Sequence, residues 1–241
     1  MASAREMHYD FKKKFNKVDS NQNRNLLIPE IDWALNEAQD IIIDLIAQPR
    51  PKSFLGFEKS QKNIDDIRVL VVNDQHSNPS VLDGTPGCYL VSLPTDYRYF
   101  ARLYSTISKK KCSGVRTRVT MREHDDNFEE SYFDSSSFEW RVVNGLFTQE
   151  GIKLYTDDTF SITDAYLSYI RKPRRIHNAQ DYRNGTYKLP SGESLTGSSN
   201  CELPEQLHRE IVDLAVMIIT GEVNPGDYQI KYAKVNLNNL K

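Results

Sequence analysis

The chain has 241 residues, of which 39% are hydrophobic and 27% charged, and a formal net charge of −2. That length holds one sizeable core or two smaller ones, and the composition is that of an ordinary globular protein. There is no global basic excess of the kind that announces nucleic acid, and no apolar run approaches the ~20 residues that span a bilayer.

The N-terminal MASAREMHYDFKKKF lacks an apolar signal core, so synthesis in the cytosol is expected. Met7, Phe11, Phe15 and Val18 fall at steps of four, four and three, the stripe of an amphipathic helix. DSNQNRN follows as a polar linker. Pro29 suits a first helical position, Glu30 and Asp32 oppose the positive end of the helix dipole, and Pro49 and Pro51 stop the run. Between them Ile31, Leu35, Ala38, Ile42 and Leu45 form a second helical stripe, widened by Trp33, Ile41 and Ile46. Residues 60–72 begin with helical spacing at Ile64 and Ile67 and turn β-branched, which predicts a short helix passing into an extended piece. NDQHSNPSVLDGTPG reads as loop on composition.

CYLVSLP alternates as a strand does. TDYRYFARLYSTI then places Tyr97, Phe100, Ala101, Tyr104 and Ile107 at helical offsets, with Thr95 as cap, and predicts a helix over about 95–108. GVRTRVTM returns to alternation, with Val115, Thr117, Val119 and Met121 on one face and Arg116, Arg118 and Arg122 on the other. Asn144-Gly145 between apolar flanks is a hairpin-turn signal. GIKLY and ITDAYLSYIRKP read as two further strands. The polar stretch 177–200 reads as an exposed loop or extended arm.

LPEQLHREIVDLAVMIITG, residues 203–221, predicts a helix that is apolar nearly all round. Its primary face is read as Leu203, Leu207, Ile211, Leu214, Ala215 and Ile218, with His208 on the solvated side. Such a helix has to be surrounded, and the helices at 7–18 and 29–47 are the candidates. The expected fold class is therefore α+β: a helical layer built from the N- and C-terminal helices, with a β-rich insertion and an extended loop and tail. The expected division is 1–72 helical, 86–176 β-rich with one helix, 177–200 arm, and 201–241 helix plus docking tail, packing with the N-terminal helices. Ile218→Asp is expected to abolish folding.

No catalytic constellation emerges. None of the five histidines sits in a nucleophile motif, and phosphate-loop, dinucleotide, zinc-protease and calcium-loop patterns are absent. Cys88, Cys112 and Cys201 are odd in number and widely spaced, which reads as three reduced thiols. No enzyme activity, cofactor or metal is expected.

Charge is more informative. Lys109, Lys110, Lys111, Arg116, Arg118 and Arg122 make a block of plus six without an acid, and Glu123, Asp125, Asp126, Glu129, Glu130 and Asp134 follow as minus six without a lysine or arginine. Such blocks suit either two solvated faces or a head-to-tail contact between subunits, which closes into a ring when the rotation allows. Candidate subunit-interface residues are thus Lys109, Lys110, Lys111, Arg116, Arg118, Arg122, Glu123, Asp125, Asp126, Glu129 and Glu130. Arg171, Lys172, Arg174 and Arg175 form a second basic cluster. An alternative use of 109–122 and 171–175 is nucleic-acid binding, although these stretches lack the interleaved exposed aromatics of a single-strand platform. Tyr228, Ile230 and Tyr232, with Val235, give the tail alternating apolar residues and mark it as a candidate for docking on a partner.

FKKKFNKVDSNQNRNLLIPEIDWALNEAQ, together with LSYIRKPRRI and CELPEQLHREIVDLAVMIITGEVNPGDYQIKYAKV, resembles the neck proteins of crAss-like and related tailed bacteriophages. These stretches cover about a third of the chain. The resemblance implies a head-to-tail connector, a ring or adaptor protein of the virion made in the bacterial host cytoplasm. It implies a homo-oligomer of about twelve copies, with the portal protein and other neck and tail rings as partners. Genomic DNA would pass through the channel without sequence-specific binding. It implies a structural protein and supplies no catalytic residues.

Overall fold

The computed structural model describes residues 3–15, 26–47, 65–82, 87–110, 112–123 and 135–223. The chain divides into two compact units: Leu70–Lys172 forms one, and Met1–Val69 with Pro173–Lys241 forms the other.

The first unit is a single eight-stranded sheet. Its strands are β1 (Val71–Ser77), β2 (Ser80–Val81), β3 (Cys88–Val91), β4 (Tyr97–Lys109), β5 (Cys112–Arg122), β6 (Val143–Thr148), β7 (Gly151–Tyr155) and β8 (Ser161–Arg171), in the order β1-β8-β4-β5-β6-β7-β3-β2. Neighbours run antiparallel except β5 and β6, which are parallel. One face closes over Leu103, Ile107, Val119, Val143, Ile152 and Leu154, all 3% exposed or less. Period-2 alternation puts these residues inward and their neighbours outward.

This sheet dominates the chain and overturns the expected architecture: the protein is not a helical layer built from terminal helices with a β insertion, and its helices are few. The largest single cause is β4. The segment expected as a helix over 95–108 is a 13-residue strand. It pairs with β8 through register shifts at Tyr97/Tyr99 and Phe100/Arg102, where two residues of β4 oppose one of β8. Each bulge inserts one residue into the alternation. The inward positions Tyr97, Phe100 and Leu103 are thereby spaced by three instead of two, which imitates a helix.

Two local expectations also change. NDQHSNPSVLDGTPG is not loop throughout, because it holds most of β1 and all of β2. Polar residues suit the edge strand β1, where Asp74, Gln75 and His76 bond to side chains of β8. Asn144-Gly145 is no turn and lies inside β6. A Cβ on Gly145 would sit 2.7 Å from Val119 Cγ1, so glycine serves the close approach of β5. The hairpin instead joins β6 to β7 at 149–150.

The second unit contains α1 (Ala4–Phe15), α2 (Ile28–Ala47) and α3 (Glu205–Val223). Ser3 and Glu6 form a reciprocal cap on α1: the Glu6 N–H donates to Ser3 Oγ at 3.2 Å and the Ser3 N–H to Glu6 Oε2 at 2.6 Å. Met7, Phe11 and Phe15 are buried on α1, as the stripe requires, with His8 beside them. Val18 lies outside the described residues. On α2, Ile31, Leu35, Ala38 and Ile42 are buried, whereas Leu45 is 51% and Trp33 49% exposed. On α3 the buried face is Leu207, Ile211, Val212, Ala215, Val216 and Ile219. It is rotated from the expected one, since Leu214 and Ile218 are only partly buried.

The stretch 177–200, expected as an exposed arm or loop, is largely exposed but carries local structure. It folds into β9 (His177–Asn178) paired with β12 (Ser198–Ser199) and β10 (Thr186–Lys188) paired with β11 (Ser194–Thr196), with 3-10 turns at Ala179–Asp181 and Arg183–Gly185. Asn178, Ala179 and Tyr187 are buried.

Candidate functional site

Two places gather chemistry, one in each unit. In the sheet unit it is the outward face of β1, β8, β4 and β5. β5 points Thr117 and Val119 inward, which leaves Arg116 and Arg118 exposed. Arg116 stands over the rings of Tyr104 from β4, at 4.5 Å, and Tyr166 from β8, at 5.1 Å. Its Nη2 also meets Asp74 Oδ2 of β1 at 3.0 Å. Arg102 lies over Tyr104 at 5.5 Å and donates through Nε to Ser168 Oγ at 3.3 Å. His76 meets Asp164 at 2.8 Å. The Arg116 guanidinium, by hydrogen bond and charge, holds the Asp74 carboxyl below its ordinary range, and His76 does the same for Asp164.

The structure therefore supplies the aromatic residues that the basic stretch lacks in sequence. Tyr104 and Tyr166 come from neighbouring strands and are invisible in a window along β5. The same geometry also compensates the cations, because Asp74 and Asp164 sit among them.

The predicted interface residues fare differently from one another. Lys109 is partly buried and meets Glu139 at 2.7 Å. Arg122 donates through Nε to Asn144 Oδ1 at 3.0 Å. Lys110 and Arg118 are exposed and make no ion pair among the described residues. Glu123 is exposed at the end of β5. Lys111, Asp125, Asp126, Glu129 and Glu130 lie outside the described residues, as do Tyr228, Ile230, Tyr232 and Val235. The second cluster is spread along the exit of β8, where Arg174 Nε meets Glu202 at 2.8 Å.

The other place is a buried carboxylate in the helical unit. Asp32 is 2% exposed. Its Oδ1 accepts from His8 Nε2 at 2.6 Å, its Oδ2 from the Tyr187 hydroxyl at 2.7 Å, and both oxygens face the Asn178 N–H at 3.1–3.2 Å. One helical turn on, Asn36 takes the backbone of Ile176 from both sides: Nδ2 donates to its carbonyl at 2.7 Å and Oδ1 accepts its N–H at 2.9 Å. Gln39 donates to the Arg174 carbonyl at 3.2 Å and accepts from Cys201 Sγ at 3.4 Å. Asp32, Asn36 and Gln39 lie at i, i+4 and i+7, one stripe of α2. They tie the returning chain 174–178 to the first half of the protein. Burial, and next the Asp32 carboxylate, push the Tyr187 hydroxyl well above the ordinary tyrosine range. Burial pushes the Cys201 thiol up to about 11, so it stays protonated at neutral pH.

His208, expected on a solvated side, is 4% exposed, and its Nε2 donates to the Leu203 carbonyl at 2.8 Å. Beside Asp32 opens a largely apolar cleft of about 460 Å³ between the start of α2, the β10–β11 ladder and Ile219 of α3.

Among the described residues no group of three or more His, Cys, Asp or Glu side chains is placed to hold a metal ion. No helix of the described residues is long and apolar enough to cross a membrane. No protein-family model matches the chain. No curated protein matches it either.

Proposed function

We propose that the chain is a structural subunit that assembles with copies of itself into a ring of a phage neck, joining portal to tail around the DNA channel. The observation that carries this reading is the segregation of charge about β5. Lys110 and Arg118 stand exposed without an acidic partner among the described residues, and the chain then runs directly into an acidic block beginning at Glu123. A basic block followed by an acidic one along the same chain favours heterologous contact, cation of one copy against carboxylates of the next, the arrangement that closes rings. The segments that resemble neck ring proteins point the same way. A near-neutral subunit also suits a channel wall, since dense cations would hold phosphate by counterion release.

The stacking of Arg102 and Arg116 with Tyr104 and Tyr166 favours a second reading, a nucleic-acid surface. Against it, both arginines already face Asp74. A filter-binding salt series separates the two. A ring wall shows little affinity and a shallow salt slope; a nucleic-acid module shows a steep one. Assembly itself is read by negative-stain microscopy of the protein alone and with its portal, where rings or portal-bound particles support the first reading.

A further inference from the structure

We propose that the cleft beside α2 is the seat of the protein's own C-terminal segment, residues 227–235, docked within the same subunit. The cleft is built for apolar side chains. Tyr187 and Leu195 are cross-strand partners in the β10–β11 ladder, and both line it. Pro29 and Trp33 of α2 face them, and Trp33 remains 49% exposed. Its volume of about 460 Å³ falls within the range of sites that take a small ligand or a few side chains.

Where the described chain stops identifies the occupant. Ile219 lines the cleft, and α3 ends at Val223, one turn later. The next residues are Asn224-Pro225-Gly226-Asp227, a turn signal in which proline fixes φ and glycine supplies the reversal. Alternation follows, with Tyr228, Ile230 and Tyr232 on one face of an extended segment. A reversal at Pro225-Gly226 would return the chain along α3 towards Ile219 and bring that apolar face to the cleft. Charge agrees: Arg175 and Lys188 at the cleft are opposite in sign to Asp227. The tether makes this docking intramolecular, with an effective concentration in the millimolar range. It does not depend on ring formation.

The test uses the full chain with Cys112→Ser, which removes the exposed native thiol. Leu195→Cys is combined with Ile230→Cys, or with Asn239→Cys as a control for random encounter of the tail. Under mild oxidation of dilute protein, the Ile230 pair is expected to close within one chain at least about tenfold faster than the control. Equal rates overturn the proposal, and so does a ladder of linked multimers, which would seat the segment in a neighbouring copy. A second measurement needs no disulfide. With Trp140→Phe, Trp33 becomes the sole indole. Replacing Tyr228, Ile230 and Tyr232 by serine is expected to raise acrylamide quenching of Trp33 about twofold or more, as uncovering a docked aromatic does. Unchanged quenching overturns the proposal.

Discussion

Asp32 shows how one residue joins distant parts of the chain. Its carboxylate receives His8 from α1, the Asn178 N–H and the Tyr187 hydroxyl, groups 24, 146 and 155 residues away. Removing one partner from a buried charged network leaves the others desolvated and unmatched. Asp32→Ala is therefore expected to lose roughly 3–5 kcal/mol in urea unfolding, whereas Asp65→Ala, at an exposed position, is expected to stay within about 0.5 kcal/mol. Tyr169 gives a pH test in the other unit. Burial, then Asp96, push its hydroxyl up to about 12, and that hydroxyl lies 2.7 Å from Gln75 Oε1 and 2.9 Å from Asp96 Oδ1. A folded pKa above the unfolded one means that the unfolded chain releases its proton first. The stability from this hydroxyl is thus full below pH 10 and is lost as pH climbs towards 12. Unfolding followed from pH 9 to 12 should show Tyr169→Phe losing less stability with pH than the parent; parallel curves would contradict the assignment.

At the level of elements, sequence patterns were legible wherever one face was buried against one neighbour. The stripes of α1 and α2 and the alternation of β5 and β8 needed no tertiary knowledge. β4 was not legible, because its bulges against β8 are properties of the pairing, and they turned a period of two into apparent helical spacing. Polar β1 looked like a loop because its hydrogen bonds are made to β8. On α3 the pattern gave the helix but not its orientation: a helix apolar nearly all round leaves the choice of face to its neighbours. That choice changes an expected mutation. Ile211 is fully buried and Ile218 only partly so. Ile211→Asp is now expected to abolish folding through an unpaired buried charge, while Ile218→Asp, earlier expected to do so, should fold with native circular dichroism. A second element-level test is Gly145→Val, whose branched carbons enter the space of Val119 and Met121. Overpacking of this kind should cost about 1–3 kcal/mol in urea unfolding.

For the whole molecule, the two runs of opposite charge that motivate the proposed interface are read directly from the sequence. The buried hub was not, since Asp32 read only as a first-turn carboxylate against the helix dipole, and nothing along the sequence singled out Asn36 or Gln39, which bond to the backbone of Ile176 and Arg174. Nor could composition tell that Arg116 is held between Tyr104, Tyr166 and Asp74 while Arg118 stands clear. That contrast makes Arg118 the sharper probe of assembly. Arg118→Glu should weaken self-association about tenfold or more, because a like charge is placed where an attractive one steered contact, and it should leave unfolding stability within about 0.5 kcal/mol.

The most direct measurement is the solution mass of the full chain by light scattering across a salt series. Head-to-tail assembly through opposite charges predicts a particle many times the 27.8 kDa subunit at low ionic strength, falling towards the monomer as salt screens the contact. A 27.8 kDa monomer at every salt concentration, still monomeric beside the portal, would contradict it.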